Sequence, residues 1–104
     1  MKPAHLRPQA LADRKDSVRY YRQAASTRIA EEMVMATREA LNQIEQNPSI
    51  GSPHISLLLD IPGLRSWRVT GFPLIWFYFE RENHLDVVRL LGERQDILSI
   101  LNSN

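Results

Sequence analysis

The stretch GFPLIWFYFE, residues 71–80, holds five of the chain's eight aromatic residues: Phe72, Trp76, Phe77, Tyr78 and Phe79. Side chains alternate across a β-strand, so Leu74, Trp76 and Tyr78 point one way and Ile75, Phe77 and Phe79 the other. Both sets are apolar. A strand of this kind needs a cover on each face, and a chain of 104 residues has little material for two covers.

The flanking sequence continues the β pattern. LRSWRVT (64–70), PLIWFYFE (73–80) and LDVVRLL (85–91) are rich in aromatic and β-branched residues. Their links, GF and RENH, are short, which predicts antiparallel neighbours in a three-strand meander. AHLR (4–7), bracketed by Pro3 and Pro8, reads as a short edge strand.

Two helices are expected between these β regions. The first runs from about Gln9 to Ala24, with Leu11, Val18 and Tyr21 on one face and Arg14 and Ser17 interrupting it. The second begins at a Ser26 or Thr27 cap, with Glu31 and Glu32 near its first turn. Ile29, Met33, Ala36, Ala40 and Ile44 form its apolar stripe. The AAST link predicts an antiparallel helical hairpin. NPSIGSP (47–53) stops the second helix and opens a loop to about Gly63, and ERQDILSILNSN adds one or two helical turns at the end.

A helical hairpin covers one face of a small sheet. The purely apolar Ile75, Phe77 and Phe79 are assigned to that inner face, joined by Trp67, Val69, Val88 and Leu90. Trp76 and Tyr78 carry polar tips and suit a partly wet surface. The outer face would then combine Arg68, Trp76, Tyr78, Val87 and Arg89, and aromatics with arginines are enriched in protein-binding surfaces. Two readings stay open: a partner covers this face, or the apolar ISLLLDI of the 47–63 loop or the C-terminal turns fold over it.

Composition restricts the function classes. Hydrophobic residues make up 43% and charged residues 24%, as in a globular protein, and the length predicts one domain over 1–104. There is no cysteine, hence no thiolate chemistry. No apolar run is long enough to span a membrane, and MKPAHLRPQA lacks the core of a signal peptide, so the cytoplasm is the expected location. The net charge is +1 with no basic cluster, which argues against direct sequence-specific nucleic-acid binding. His5, His54 and His84 are far apart in sequence, and no metal or other cofactor is expected. Ser66 and Ser99 lack a paired base.

The residues from Pro62 to Ile97, PGLRSWRVTGFPLIWFYFERENHLDVVRLLGERQDI, resemble the C-terminal sheet of the ParE/RelE superfamily of bacterial toxins. The resemblance is carried by Leu64, Arg65, Trp67, Gly71, Phe72, Phe77, Tyr78, Val87, Val88, Arg89, Leu91, Arg94 and Asp96 in order. LADRKDSVRYY (11–21) and NPSIGSP (47–53) are similar to the helical half. Gly92 departs from a common histidine, and Arg14 and Ser17 replace apolar residues of the first helix.

The resemblance implies an α+β fold, with an N-terminal antiparallel helical hairpin on an antiparallel sheet made of the C-terminal meander and the N-terminal edge strand. It implies the toxin of a type II toxin–antitoxin pair, forming a hetero-oligomer with a cognate antitoxin. ParE-like members poison DNA gyrase, whereas RelE-like members cut messenger RNA on the ribosome with a cluster of cations and a proton-moving group. The RelE-like arginine that follows glycine-aromatic falls on Pro73 here. Arg94 aligns with a second such arginine, but no tyrosine or lysine follows it. The gyrase branch is therefore expected, with Arg94 touching the target and Arg68, Trp76, Tyr78, Val87 and Arg89 facing the antitoxin. A RelE-like ribonuclease relying on Arg94, and a degenerate non-toxic member that binds a partner, are the alternatives.

Overall fold

In the computed structural model, which describes residues 1–103, Pro8 opens the first helix, α1 (Pro8–Ala24). Proline suits this position because its missing N–H has no helical partner to lose. α2 (Thr27–Gln46) is capped by Ser26, whose hydroxyl accepts from Ile29 N at 3.1 Å. Glu31 and Glu32 lie beyond the first turn, and Glu32 accepts from Arg28 at 3.3 Å. Ala30, Met33, Thr37, Ala40, Leu41 and Ile44 form the buried stripe of α2. On α1 only Ala10 is fully buried. Leu11, expected inside, is exposed, while Val18 and Tyr21 pack against the core.

The sheet comprises β1 (Ala4–Leu6), β2 (Leu64–Arg68), β3 (Leu74–Glu80) and β4 (Leu85–Gly92), in the order β1-β4-β3-β2. β2, β3 and β4 form the expected antiparallel meander. β1 takes an edge and pairs in parallel with β4, to which the chain returns only through the helices, β2 and β3, so the sheet is mixed where an antiparallel one was expected.

The expected face assignment of β3 is reversed, whereas Trp67, Val69 and Leu90 lie on the hairpin side as expected. Trp76, Tyr78 and Leu74 point into the core beneath the hairpin, with Met33, Ala40, Leu41 and Ile44. Trp67 pairs directly with Trp76 across β2 and β3, and directly opposed residues share a face, so Trp67 joins the same side. The polar tips that favoured a wet surface are satisfied internally. Trp76 Nε1 donates to Thr37 O at 3.0 Å, and Trp67 Nε1 donates to Gln43 Oε1 at 2.8 Å. Tyr78 Oη donates to Pro48 O at 2.7 Å and accepts from Gly51 N at 3.1 Å. Burial of Trp and Tyr is favourable once such partners exist. Gly51 is required by this approach, since an added Cβ would sit 2.4 Å from Tyr78 Oη.

β4 departs from strict alternation as well. Phe77 pairs with Arg89 and Tyr78 with Val87, leaving Val88 as the extra residue of a bulge. One extra residue shifts the parity of the strand. Val87 and Leu90 consequently both reach the hairpin core, whereas Val88 and Leu91 face the opposite side. Leu90 thus lies under the hairpin as expected, while the expectation of Val88 beside it and Val87 outside is corrected.

The face of Ile75, Phe77 and Phe79 has its own cover. Within the expected 47–63 loop, a 3-10 turn (Pro48–Ile50) precedes α3 (His54–Leu59), and the C-terminal turns form α4 (Ile97–Asn102). Ile55, Leu59, Ile61, Ile97, Ile100 and Leu101 from this region pack on Leu64, Phe77, Val88 and Leu91. The two-faced strand is thus covered twice from within the chain, by two long helices on one side and two short ones on the other.

The β1 edge is tied down electrostatically. Asp86 accepts two hydrogen bonds from Arg7, at 2.9 and 2.8 Å, and one from Arg81 at 3.0 Å. The Arg7 hydrogen bond, opposed by burial and aided by Arg81, holds the Asp86 carboxyl below its ordinary value. A lowered folded-state value stabilises the fold above the unfolded-state value, and that contribution is lost as pH falls through the folded-state value. Asp86→Asn is therefore expected to destabilise at neutral pH, with the difference from the parent closing in acid. Urea unfolding of both proteins over an acid pH series checks this, and a gap independent of pH would contradict it.

Candidate functional site

A concavity of ≈ 610 Å³ lies where α1 meets the start of β3 and the end of β4. α1 contributes Asp13, Asp16, Ser17 and Tyr20, which fall on one helical face at steps of three and four, together with Tyr21. Pro73 and Leu74 come from the start of β3, and Gly92 to Gln95 from the turn after β4. One backbone and one side-chain hydrogen bond hold that turn in place. Glu93 N donates to Pro73 O at 2.9 Å, and Gly92 N donates to Gln95 Oε1 at 2.6 Å.

An ion pair braces the cleft between α1 and β4. Arg89 Nε and Nη2 donate to the two oxygens of Asp13 at 2.8 and 2.9 Å, and Leu90 N donates to Asp13 Oδ2 at 2.9 Å. Both side chains are largely buried. The bidentate geometry suits a guanidinium facing a carboxylate. Tyr21 lies edge-on to both Tyr20 and Phe72, with centroids 5.2 and 5.4 Å apart. Burial, then Tyr20, pushes the Tyr21 phenol above its ordinary value, so it stays protonated at neutral pH.

The expected site residues separate into two groups. Arg68, Arg89 and Arg94 gather near this end of the sheet. Arg68 is exposed and pairs with Glu93. Arg89 is committed to Asp13. Arg94 lies exposed on the cleft wall, with no salt bridge among the described residues. Trp76, Tyr78 and Val87 are fully buried under the hairpin, so the expected open face that contained them does not exist in this fold. The contribution of Asp13, Asp16 and Tyr20 was not read from the sequence, although their helical spacing with Ser17 was a usable signal. His5 and His84, distant in sequence, stack with centroids 4.8 Å apart.

The chemistry available in the cleft is limited. Cleaving a phosphodiester needs cations placed where negative charge develops. Here Arg89 is neutralised by Asp13, Arg68 pairs with Glu93, and Pro73 supplies no charge. Arg94 faces the cleft alongside Asp16 and Glu93. Among the described residues, no group of three or more His, Cys, Asp or Glu is placed to hold a metal ion. No helix among them is long and apolar enough to cross a membrane.

These features describe a small α+β domain with a helical hairpin across a mixed sheet and a mixed-charge cleft at the turn after its last strand. A solved structure with the same architecture comes from the chromosomal ParDE toxin–antitoxin system of P. aeruginosa. It superposes with a TM-score of 0.75 at 18% identity, covering 88% of this chain and 96% of that one. Residues 4–97 match the family model for the ParE toxin of the type II toxin–antitoxin system parDE, and the chain belongs to that family. No match was found among curated proteins.

Proposed function

We propose that this protein is a cytoplasmic toxin that inhibits DNA gyrase, and hence replication, by protein–protein contact, and that a cognate antitoxin neutralises it by binding. Membership of the ParE toxin family supports the toxin role. The observation that carries the mode of action is the state of the cleft. Arg94 is its one cation without a salt bridge among the described residues, and acidic and aromatic groups surround it. That arrangement suits recognition of a partner surface better than stabilisation of a charged transition state. Arg94 is assigned to the target contact and Arg68 to the antitoxin contact.

The test is plasmid supercoiling by purified gyrase in the presence of this chain. Supercoiling should fall and cleaved DNA accumulate, and added antitoxin should reverse both effects. Arg94→Ala, at an exposed position, should keep the fold and raise the half-inhibitory concentration by about tenfold. Undisturbed supercoiling by the folded chain, together with ribosome-dependent RNA cleavage abolished by Arg94→Ala, would replace this reading with ribonuclease action. Harmless expression without antitoxin would argue for a protein-binding member that is no longer toxic.

A further inference from the structure

On the outer surface of the hairpin, away from the Arg94 cleft, a shallow groove of ≈ 420 Å³ runs between α1 and α2. It is lined by Arg14, Val34, Met35, Arg38, Glu39 and Asn42. Three features set it apart. Val34 and Met35 are exposed apolar side chains on a face with no cover, Met35 at 72%. Arg14 and Arg38 share the groove, and among the described residues neither forms a salt bridge. Arg14 is also half-buried, so its charge is partly removed from water without an acidic partner to offset the loss.

The electrostatics agree with this geometry. Burial, and then the like charge of Arg38, lower the Arg14 guanidinium from its ordinary value. Two like charges placed together destabilise the free chain, and a bound carboxylate relieves that repulsion. Glu39 lies on the groove but leaves one positive charge in excess across its three ionised side chains. Methionine, flexible and polarizable, adapts to an incoming apolar side chain.

We propose that this groove receives an acidic segment of the antitoxin, with a carboxylate between Arg14 and Arg38 and an adjoining apolar side chain on Val34 and Met35. The inference rests on the reading of the chain as a toxin with an antitoxin partner. A surface that is costly when bare fits a partner bound for most of the protein's life better than a transient target. It also gives Arg14, which breaks the apolar pattern of α1, a role that core packing does not.

The test is calorimetric titration of the full-length chain with the purified antitoxin of its own pair, using Arg14→Gln, Arg38→Gln and Met35→Ser variants. Each arginine variant should bind about tenfold more weakly, and the loss should shrink as salt is raised. The thermal midpoint of the free arginine variants should be unchanged or higher, because removing one like charge relieves the other. A purely structural arginine would instead lower the midpoint. Binding within twofold of the parent for both arginine variants would overturn the proposal. So would parental antitoxin binding combined with lost affinity for a DNA duplex, which would assign the groove to phosphate. If the unmodified, folded chain binds no antitoxin, both this inference and the toxin–antitoxin reading fail, a result distinct from selective insensitivity of the variants.

Discussion

Trp76→Ala is expected to cost about 3–5 kcal/mol of folding stability, the range for a fully buried tryptophan. The indole is completely enclosed between β3 and the hairpin, and its N–H is bonded to Thr37 O at 3.0 Å. Removing it opens a cavity beside Met33 and Leu41 in the same core and leaves the Thr37 carbonyl without that donor. Small domains hold only about 5–15 kcal/mol in total, so the variant should sit near the threshold of folding. Chemical denaturation monitored by circular dichroism measures the change. Antitoxin binding should be lost only in proportion to the unfolded fraction. A folded Trp76→Ala protein of near-parental stability that no longer bound antitoxin would contradict the buried placement and restore the open-face expectation.

The second large effect is expected at the ion pair joining the hairpin to the sheet. Arg89→Ala should destabilise by about 3 kcal/mol, because it leaves the largely buried Asp13 carboxylate without its cation. The Leu90 N–H alone then remains on that carboxylate. Replacing both partners, as in Asp13→Leu with Arg89→Met, should cost less than Arg89→Ala, since no unpaired charge is left behind. Denaturant unfolding of Asp13→Leu, Arg89→Met and the double variant gives the coupling energy. Additive losses would mean that the pair contributes no interaction of its own. Because Asp13 also lines the Arg94 cleft, Arg89→Ala should impair target inhibition even where the chain remains folded.

These two sites show how a strand with apolar residues on both faces is resolved. The paired patterns of 73–80 and the flanking strands require two covers, and the chain provides them. The short helix α3 was visible in the sequence only as the apolar run ISLLLDI within a segment read as a loop, whereas α4 is the one or two helical turns expected in ERQDILSILNSN. α3 is six residues long, too short for helical periodicity to separate it from a loop. The apolar side chains of both helices nevertheless close the face of Phe77 and Phe79.

Local chemistry was sufficient for the two long helices and the four strands. The serine cap at Ser26 places the start of α2, and Pro8, read as the end of the edge strand, also opens α1. The stripe from Met33 to Ile44 orients the second helix, and the short links between aromatic runs impose the meander. Each of these signals acts through neighbours a few residues away, so it is legible along the chain. The order of motifs likewise pointed to the ParE/RelE superfamily, and the family match over residues 4–97 agrees.

Which face of β3 meets the hairpin depended on contacts between residues far apart in sequence. The polar tips of Trp76 and Tyr78 could be buried because Thr37 O and Pro48 O lie 39 and 30 positions away, ready to accept from them. The bulge at Val88 reversed the expected parity of β4 without a glycine or proline to announce it. The Arg89–Asp13 pair spans 76 residues. Alternation states that two sides exist, but it assigns neither of them. The assignment comes from which buried polar groups find partners and which charges are neutralised when the helices close over the sheet.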